Sequence, residues 1–374
     1  TEKLLQSIAK NLNSEEFNVY FFYSDQKHGE PQLNYFNDSD VNLIKFKYDQ
    51  KMESDPYTVY GMKPNLIKII NDHKIECVFL VVYLDYYQFP VNIIPSTIPI
   101  ISVSPFGHWC TNGNVYKTYC SGFDNLTKVK SKGGLNSEIF YNPLPETSKK
   151  YFKKKINSKK IIFGRVGRND DEIFDPISIY AFKKLEDKYG NKVSYNIVNP
   201  PPKMIQLAKK LKIININYLY MLTEEQLREF YYEIDVFAHA RKDGETLGVA
   251  IGEAMIAGNP IISHKSHYHN NHINLLDEKY AKWTEPDDIE NYYKHMIWFV
   301  ENSNKIIDMG LLARNKATEI FGNDSIMNKV SNDLNEACKF CTYWGKYGKI
   351  KGNILLFLIN FINININYIK KTKV

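Results

Sequence analysis

Apolar and polar positions along the chain predict strands and helices in turn. Short, continuous apolar runs typical of buried parallel strands alternate with stretches that repeat at helical spacing. Strands that alternate with helices favour βα units and a parallel sheet. The predicted strands cover residues 19–23, 41–46, 77–83, 98–103, 115–120, 139–142, 161–163, 193–198, 214–218, 236–240 and 261–262. The predicted helices cover residues 1–12, 64–73, 176–188, 202–211, 223–232, a stretch from 246, and 286–301 continuing to about 320, with one helical turn at 125–130.

Proline and lysine divide this alternation into two parts. Asn142-Pro-Leu-Pro145 is followed by a lysine-rich stretch to Lys160, and such a segment between two apolar strands is typical of a linker. The simplest architecture is two consecutive βα domains with a cleft between them. The predicted segments are a first domain at 1–145, a second at 146–320, a helical segment at 321–345 that packs back on the first domain, and a low-complexity tail at 346–374.

Composition narrows the classes of function. The chain has 374 residues, of which 44% are hydrophobic and 24% charged, as in soluble globular proteins. The net charge of +6 is too small for a dedicated nucleic-acid binder, but it suits an anionic small ligand or loose contact with an anionic membrane. Five scattered cysteines indicate reduced thiols and a cytoplasmic location. The Asn/Ile-rich tail is too short to span a bilayer, so peripheral membrane association stays open as an alternative.

One stretch, Asp235 to Ser263, combines a strand, a loop, a helix and a second strand. It carries two glutamates, Glu245 in the loop and Glu253 inside an apolar helix. Burying a carboxylate without a partner is costly, so Glu253 either faces solvent or has a partner. The neighbours of Glu253 are Ile251, Gly252, Ala254 and Met255, which leave almost no polar face for it.

A helix that begins near Gly248 offers unpaired N–H groups and partial positive charge to an anion. Glu245 lies just before that terminus, and Glu253 lies about 7 to 8 Å along the axis at about 1.5 Å per residue. A diphosphate at the terminus would have one carboxylate on each side. Carboxylates accept hydrogen bonds from vicinal hydroxyls, so the pattern predicts a ligand with a sugar on one side of a diphosphate and a ribose on the other, which is a nucleotide sugar.

The block from Glu245 to Ile261 resembles the donor-binding signature of the group 1 retaining glycosyltransferases, which have the GT-B fold. It reads ETLGVAIGEAMIAGNPI, with seven residues between the two glutamates. Phe163-Gly-Arg165, Tyr141-Asn-Pro143 and residues 230–239 are similar to further elements of that family. Thr1 to Leu4 is similar to the family's first helix, which normally follows a strand and a Gly-Gly loop, so we expect the first strand to be missing.

The resemblance implies an α/β protein in which two Rossmann-like domains face each other across a cleft. It also implies a retaining sugar transfer from a nucleotide sugar, with UDP- or GDP-sugars expected, to a glycan or lipid-linked acceptor. Glu245 would contact the donor sugar, Glu253 the ribose and Arg165 the diphosphate, so that neither a metal nor another cofactor is expected. The N–H groups of Leu247 and Gly248 would complete the phosphate site, and Gly164, Thr246 and Tyr218 are included in the donor site.

The sequence departs from this family at one point in the donor site. A lysine usually follows the arginine by five or six residues, and here Asp170 and Asp171 occupy those positions, so Arg168 is the candidate substitute. If the two acids point inward, the phosphate site is weakened. The acidic strings Asp38-Ser-Asp40 and Asp170-Asp-Glu172 are otherwise interpreted as surface loops.

The roles of two sets of histidines can each be interpreted in two ways. His108 follows a buried strand of the first domain, where the family often has a histidine near the donor sugar, but it is equally compatible with simple packing beside Trp109. The cluster His264, His267, His269 and His272 is interpreted as a loop over the cleft in preference to a metal site. The rival function is a catalytically impaired GT-B-like protein that acts as a binding or scaffold protein.

Overall fold

The computed structural model describes residues 2–24, 36–46, 63–81, 94–109, 114–144 and 160–339. The described residues form two compact units: one takes in Thr1–Phe140 and the stretch from Met327, and the other is Tyr141–Ile326. The tail at 346–374 and most of the lysine-rich linker lie outside the described residues, as do Cys110 and Cys341.

The second unit is built on a six-stranded sheet in which every pair of neighbours is parallel. Its strands are β7 (Ile161–Val166), β8 (Val193–Val198), β9 (Ile216–Leu219), β10 (Val236–Ala238), β12 (Ile261–His264) and β14 (Ala281–Thr284), and a separate short pair joins β11 (Gly244–Glu245) to β13 (His269–Asn270). Its helices are α4 (Ile177–Tyr189), α5 (Pro202–Lys210), α6 (Glu224–Glu233), α7 (Val249–Ile256), α8 (Ile289–Glu301) and α9 (Ile306–Phe321).

The strand order of this sheet is β14-β12-β10-β7-β8-β9. Counted along the chain of the second unit, that is the order 6-5-4-1-2-3 of a doubly wound dinucleotide-binding fold. The order reverses between β7 and β10, which are neighbours in the sheet. Open sheets of this kind bind ligands outside the carboxyl ends of the strands at such a switch point, so the loops after β7 and β10 are the expected position of a site.

The core of the second unit fixes the strand that carries Arg165. Phe163 contacts the ring of Phe182 from α4, and both side chains are fully buried. Gly164 faces the other side of the sheet, where a Cβ atom would lie 2.5 Å from Ile234 Cδ1. Because any side chain at position 164 would collide with Ile234, this glycine is needed for close packing in mid-strand.

The first unit contains two parallel sheets among its described residues. Strands β1 (Tyr20–Ser24) and β2 (Asn42–Phe46) form one, and β3 (Val78–Val81), β4 (Ile100–Ser104), β5 (Val115–Cys120) and β6 (Ser137–Ile139) form the other in that order. The helices are α1 (Glu2–Asn11), α2 (Lys63–Asp72) and α3 (Phe123–Ser131). Residues 327–339 are helical and belong to this unit, where Asp333 accepts a hydrogen bond from Tyr119 and lies 2.5 Å from Lys117 Nζ.

Most predicted elements are confirmed, with differences at their ends. The predicted strand at 139–142 was misplaced: β6 covers 137–139, because pairing with β5 rather than local pattern sets its position. The predicted helical turn at 125–130 is the helix α3. Helix α7 begins at Val249 and not at Thr246, because Gly248 adopts a left-handed conformation. Strands β11, β13 and β14 were missed. No helix in the described part of the chain is long and apolar enough to span a membrane.

Candidate donor-binding site

The N-terminus of α7 lies next to the two glutamates singled out in the sequence. Gly248 caps the helix with φ 62°, and a Cβ there would lie 3.2 Å from Leu275 Cδ1. The left-handed turn at Gly248 leaves Val249 as the first helical residue. The first N–H groups of a helix have no partner within it, so this end of α7 presents donors and partial positive charge.

Glu245 is held by a tight loop after β10. Gly244 has φ 69°, and it pairs with His269 across the short sheet β11–β13. A Cβ on Gly244 would lie 1.8 Å from the carbonyl oxygen of His269, so only glycine fits. The backbone on either side of the Glu245 side chain is therefore fixed by pairing and by steric contact.

The carboxylate of Glu245 is surrounded by nitrogen donors. Its Oε1 lies 3.2 Å from His239 Nε2 and 3.4 Å from Arg241 Nη1. Burial would raise the pKa of this carboxyl, but the hydrogen bond from His239 and the charges of His239 and Arg241 outweigh it and lower the pKa to about 2. Glu245 is thus a carboxylate at neutral pH and can act as a hydrogen-bond acceptor for hydroxyl groups.

Arg241 connects Glu245 to Asp243. Its Nε and Nη2 donate to the two oxygens of Asp243 at 2.6 and 2.9 Å, a bidentate arrangement. Burial alone would lower the pKa of this guanidinium, but Asp243 and Glu245 raise it. The side chain of Arg241 is 21% exposed, so a fixed and partly accessible cation lies beside Glu245.

Glu253 does have a partner, as burial in an apolar helix requires. The hydroxyl of Tyr231 on α6 donates to Glu253 Oε2 at 2.9 Å. Tyr231 is buried, and burial together with the Glu253 charge raises the pKa of the phenol well above its ordinary value. One oxygen of Glu253 is therefore held by a neutral donor, and Glu253 itself is only partly buried.

Arg165 lies at the end of β7 and is 2% exposed. Its Nε donates to the carbonyl of Ala240 at 3.2 Å, whereas its Nη1 is buried without a hydrogen-bond partner among the described residues. Burial lowers the pKa of this guanidinium. A buried cationic donor without a partner is costly, and an anion bound beside it would remove that cost.

The match to known proteins lies in the same part of the chain. Residues 146–316 match the family model of glycosyl transferases group 1. This range contains β7, the loop with Glu245, and α7 with Glu253. This part of the chain is therefore similar to group 1 glycosyl transferases. A search of curated proteins gave no match.

Solved structures similar to the chain extend over both units. A glycosyltransferase from Rickettsia africae has a TM-score of 0.72 and 12% identity, and the match covers 90% of this chain and 95% of that one. Anabaena HepE in complex with UDP-glucose has a TM-score of 0.66 and 14% identity, with 90% and 95% covered. WaaG, a glycosyltransferase involved in lipopolysaccharide biosynthesis, has a TM-score of 0.61 and 12% identity, with 89% and 95% covered. The fold is GT-B.

The second unit accommodates the two acids that occupy the positions where a lysine was expected. Asp170 caps a short 3-10 helix by accepting from the N–H of Glu172. Asp171 accepts from the N–H of Lys203 at 2.8 Å, at the start of α5. Both carboxylates are satisfied by backbone amides. Arg168 is exposed, and its Nη2 lies 4.0 Å from Asp170 Oδ2.

The remaining predicted site residues fall in different places. Thr246 and Leu247 lie in the loop between Glu245 and α7, and the carbonyl of Thr246 accepts from Asn271 at 3.3 Å. Tyr218 lies on the edge strand β9, with its buried hydroxyl unpaired among the described residues. His108 belongs to the first unit, in the loop after β4. Asp38 and Asp40 are exposed, as predicted.

The four clustered histidines of the second unit have separate environments. His264 ends β12, and its Nε2 accepts from the N–H of Arg241 at 3.1 Å. His272 is buried, and burial lowers the pKa of its imidazole to about 3. His267 is exposed and bonds Asp287 at 3.0 Å, while His269 lies in β13. The described residues contain no group of three potential ligands that could hold a metal ion.

Sequence reasoning missed the residues that surround the two glutamates. His239 and Arg241 contact Glu245, Ser263 contacts His239, and Tyr231 contacts Glu253. One signal was present: His239 is a polar residue in the apolar run from Val236 to Ala240, where an isolated polar side chain needs a partner.

Proposed function

We propose that this protein transfers a sugar from a nucleoside diphosphate sugar to a hydroxyl of a glycan or lipid-linked acceptor, with retention of configuration. One observation carries the proposal. Glu245 and Glu253 lie on either side of the N-terminus of α7, at the switch point of a doubly wound sheet. A diphosphate at that helix end has a carboxylate available for hydroxyl groups on each side.

The domain ranges and the donor roles of individual residues belong to the same proposal. Residues 146–320 bind the donor, and residues 1–145 bind the acceptor and contribute His108. Glu245 accepts hydrogen bonds from the donor sugar, and Glu253 accepts them from the ribose hydroxyls. UDP-sugars are the first donors to test, which is supported by the UDP-glucose complex of HepE, a protein of the same fold.

The chemical step needs stabilisation of the leaving nucleoside diphosphate beside an oxocarbenium-like sugar. The buried guanidinium of Arg165 and the N–H groups at Leu247 and Gly248 supply positive charge for the phosphate oxygens. Arg168 adds an exposed cation at the same end of β7. These groups can stabilise the leaving group without a metal ion, so we propose a metal-independent reaction.

The test is a thermal-shift and calorimetric screen of UDP, GDP, ADP and their glucose or mannose derivatives. A ligand that binds only the folded protein raises its melting temperature, so the largest shift identifies the base. The variants Glu253→Ala and Arg165→Ala should weaken binding by about tenfold or more, since each removes at least one charged hydrogen bond. Arg228→Ala is the control, since Arg228 pairs with Glu224 on the surface of α6.

Catalysis is measured separately from binding. Wild-type protein should release nucleotide from one of the sugar donors, and that release should persist in the presence of EDTA. If nucleoside diphosphates bind with equal affinity to wild type and to both variants, the donor site lies elsewhere. Binding without any release would indicate a protein that only recognises nucleotide sugars.

A further inference from the structure

His239 occupies a buried position between Ser263 and Glu245. It follows β10, its N–H donates to the carbonyl of Ile262 on β12, and its side chain is 4% exposed. Its Nδ1 lies 3.2 Å from Ser263 Oγ, and its Nε2 lies 3.2 Å from Glu245 Oε1. Ser263 is fully buried in β12. The three side chains are therefore linked by hydrogen-bonding distances from Ser263 through His239 to Glu245.

The hydrogen-bonding capacity of Glu245 determines which ring N–H of His239 faces it. Glu245 is ionised, so its oxygens only accept hydrogen bonds, and His239 must donate through Nε2–H. At the other ring nitrogen, the Ser263 hydroxyl can either donate to Nδ1 or accept from Nδ1–H, so this contact forms in both protonation states of the ring. Ser263 therefore holds the imidazole in the orientation that directs Nε2–H at Glu245.

We infer that His239 is a positioning residue for the donor site: its Nε2–H, oriented by Ser263, holds the Glu245 carboxylate in the position from which it accepts the donor sugar's hydroxyls. This inference rests on the proposed function, in which Glu245 contacts the donor sugar. It concerns a residue outside the pair of glutamates and their helix.

The other contacts of His239 do not require an imidazole ring at this position. The carbonyl of His239 accepts from the Tyr292 hydroxyl at 2.9 Å, so its backbone is held independently of its side chain. The ring of His272 is 5.4 Å away, but its Nε2 is 3.0 Å from the carbonyl of His264. Packing alone would be satisfied by an aromatic hydrocarbon, whereas the two polar contacts need both ring nitrogens.

The test compares His239→Phe, which keeps a ring without a donor, with His239→Gln, which keeps a side-chain N–H. Ser263→Ala removes the group that orients the imidazole, and His267→Phe is the control at an exposed histidine. The dissociation constants of UDP and UDP-glucose are measured by calorimetry. Because UDP lacks the sugar, the difference between them reports on Glu245.

We expect His239→Phe to weaken UDP-glucose binding about tenfold, the size of one lost hydrogen bond to a charge, and to leave UDP unchanged. His239→Gln should restore most of the loss, and Ser263→Ala should cause a smaller one. The double variant His239→Phe/Glu245→Gln should bind UDP-glucose no more weakly than Glu245→Gln alone, because the two residues act through one contact.

The outcomes separate this inference from the proposed function. If Glu245→Gln weakens UDP-glucose binding and His239→Phe does not, the positioning role is wrong and the donor site stands. If Glu245→Gln has no effect, or wild type binds neither ligand, the proposed donor role of Glu245 fails. Urea unfolding then tests the contact without ligand. Additive destabilisation by His239→Phe and Glu245→Gln would overturn it, and non-additive destabilisation would support it.

Discussion

The two ends of the stretch from Glu245 to Glu253 hold their carboxylates by different means. Glu245 lies in a loop among an imidazole and a guanidinium, which lower its pKa to about 2. Glu253 lies in an apolar helix and is held by a neutral phenol from α6. The loop end depends on charge and on the left-handed backbone of Gly244, whereas the helix end depends on packing and a hydrogen bond from Tyr231. Variants should therefore affect the two ends differently.

The largest effect is expected at the backbone of the loop end. Gly244→Ala places a Cβ 1.8 Å from the His269 carbonyl at a position with φ 69°, so the β11–β13 pairing cannot persist. We expect a loss of at least about 4 kcal/mol in unfolding free energy, or loss of sugar transfer with the fold retained. Gly190→Ala is the control, because its φ is also positive at 57° but nothing lies within 4 Å of the added Cβ.

Chemical denaturation measures the unfolding free energy of both glycine variants. Gly190→Ala should cost about 1 to 2 kcal/mol, the strain of the left-handed backbone alone. Equal losses in the two variants would mean that the loop around Gly244 adjusts freely, and the contrast between a fixed loop and a packed helix would disappear.

The next effect is the pH dependence that Glu245 contributes to stability. Its pKa is lowered from 4.5 to about 2 in the folded protein, so its contribution is complete above the unfolded pKa. That contribution falls progressively as the pH drops from 4.5 towards 2. At about 1.4 kcal/mol for each tenfold change in the ionisation constant, it amounts to about 3 kcal/mol.

Urea unfolding of wild type and Glu245→Gln checks this dependence between about pH 6 and pH 3. The difference in stability should be largest near pH 6 and should narrow as the medium becomes acidic. A constant difference over that range would contradict the ionic account of the loop end.

The smallest effect is expected at the helix end. Tyr231→Phe removes the hydroxyl that donates to Glu253 at 2.9 Å and keeps the ring in the core. We expect UDP binding to weaken about fivefold, corresponding to about 1 kcal/mol for one lost hydrogen bond. Tyr232→Phe is the matched control, since Tyr232 is the next residue in the chain and is 39% exposed. Equal UDP affinity in both variants would show that Tyr231 does not orient Glu253.

Features that depend on local sequence patterns could be predicted from the sequence. Elements with strong local patterns, such as β8 at Val193–Val198 and the Thr223 capping box of α6, are found where the pattern indicates. The motif that contains both glutamates also determines where they lie, because a strand, a glycine loop and a helix follow directly in the chain.

Contacts between distant positions could not be predicted. Tyr231 meets Glu253 from 22 residues away, and Ser263 meets His239 from 24 residues away. The short strand β13 has no apolar alternation and exists only because Gly244 pairs with His269. The burial of Arg165 was likewise not evident, since an arginine at a strand end is usually expected to reach solvent.

The most direct test of the two-ended donor site is calorimetric titration of Glu245→Gln and Glu253→Gln with UDP and with UDP-glucose. The account predicts that Glu253→Gln weakens both ligands about tenfold, because both contain the ribose. Glu245→Gln should weaken only UDP-glucose, because only that ligand carries the sugar. Equal losses for UDP in the two variants, or no loss in either, would contradict the assignment of the glutamates to opposite ends of one nucleotide sugar.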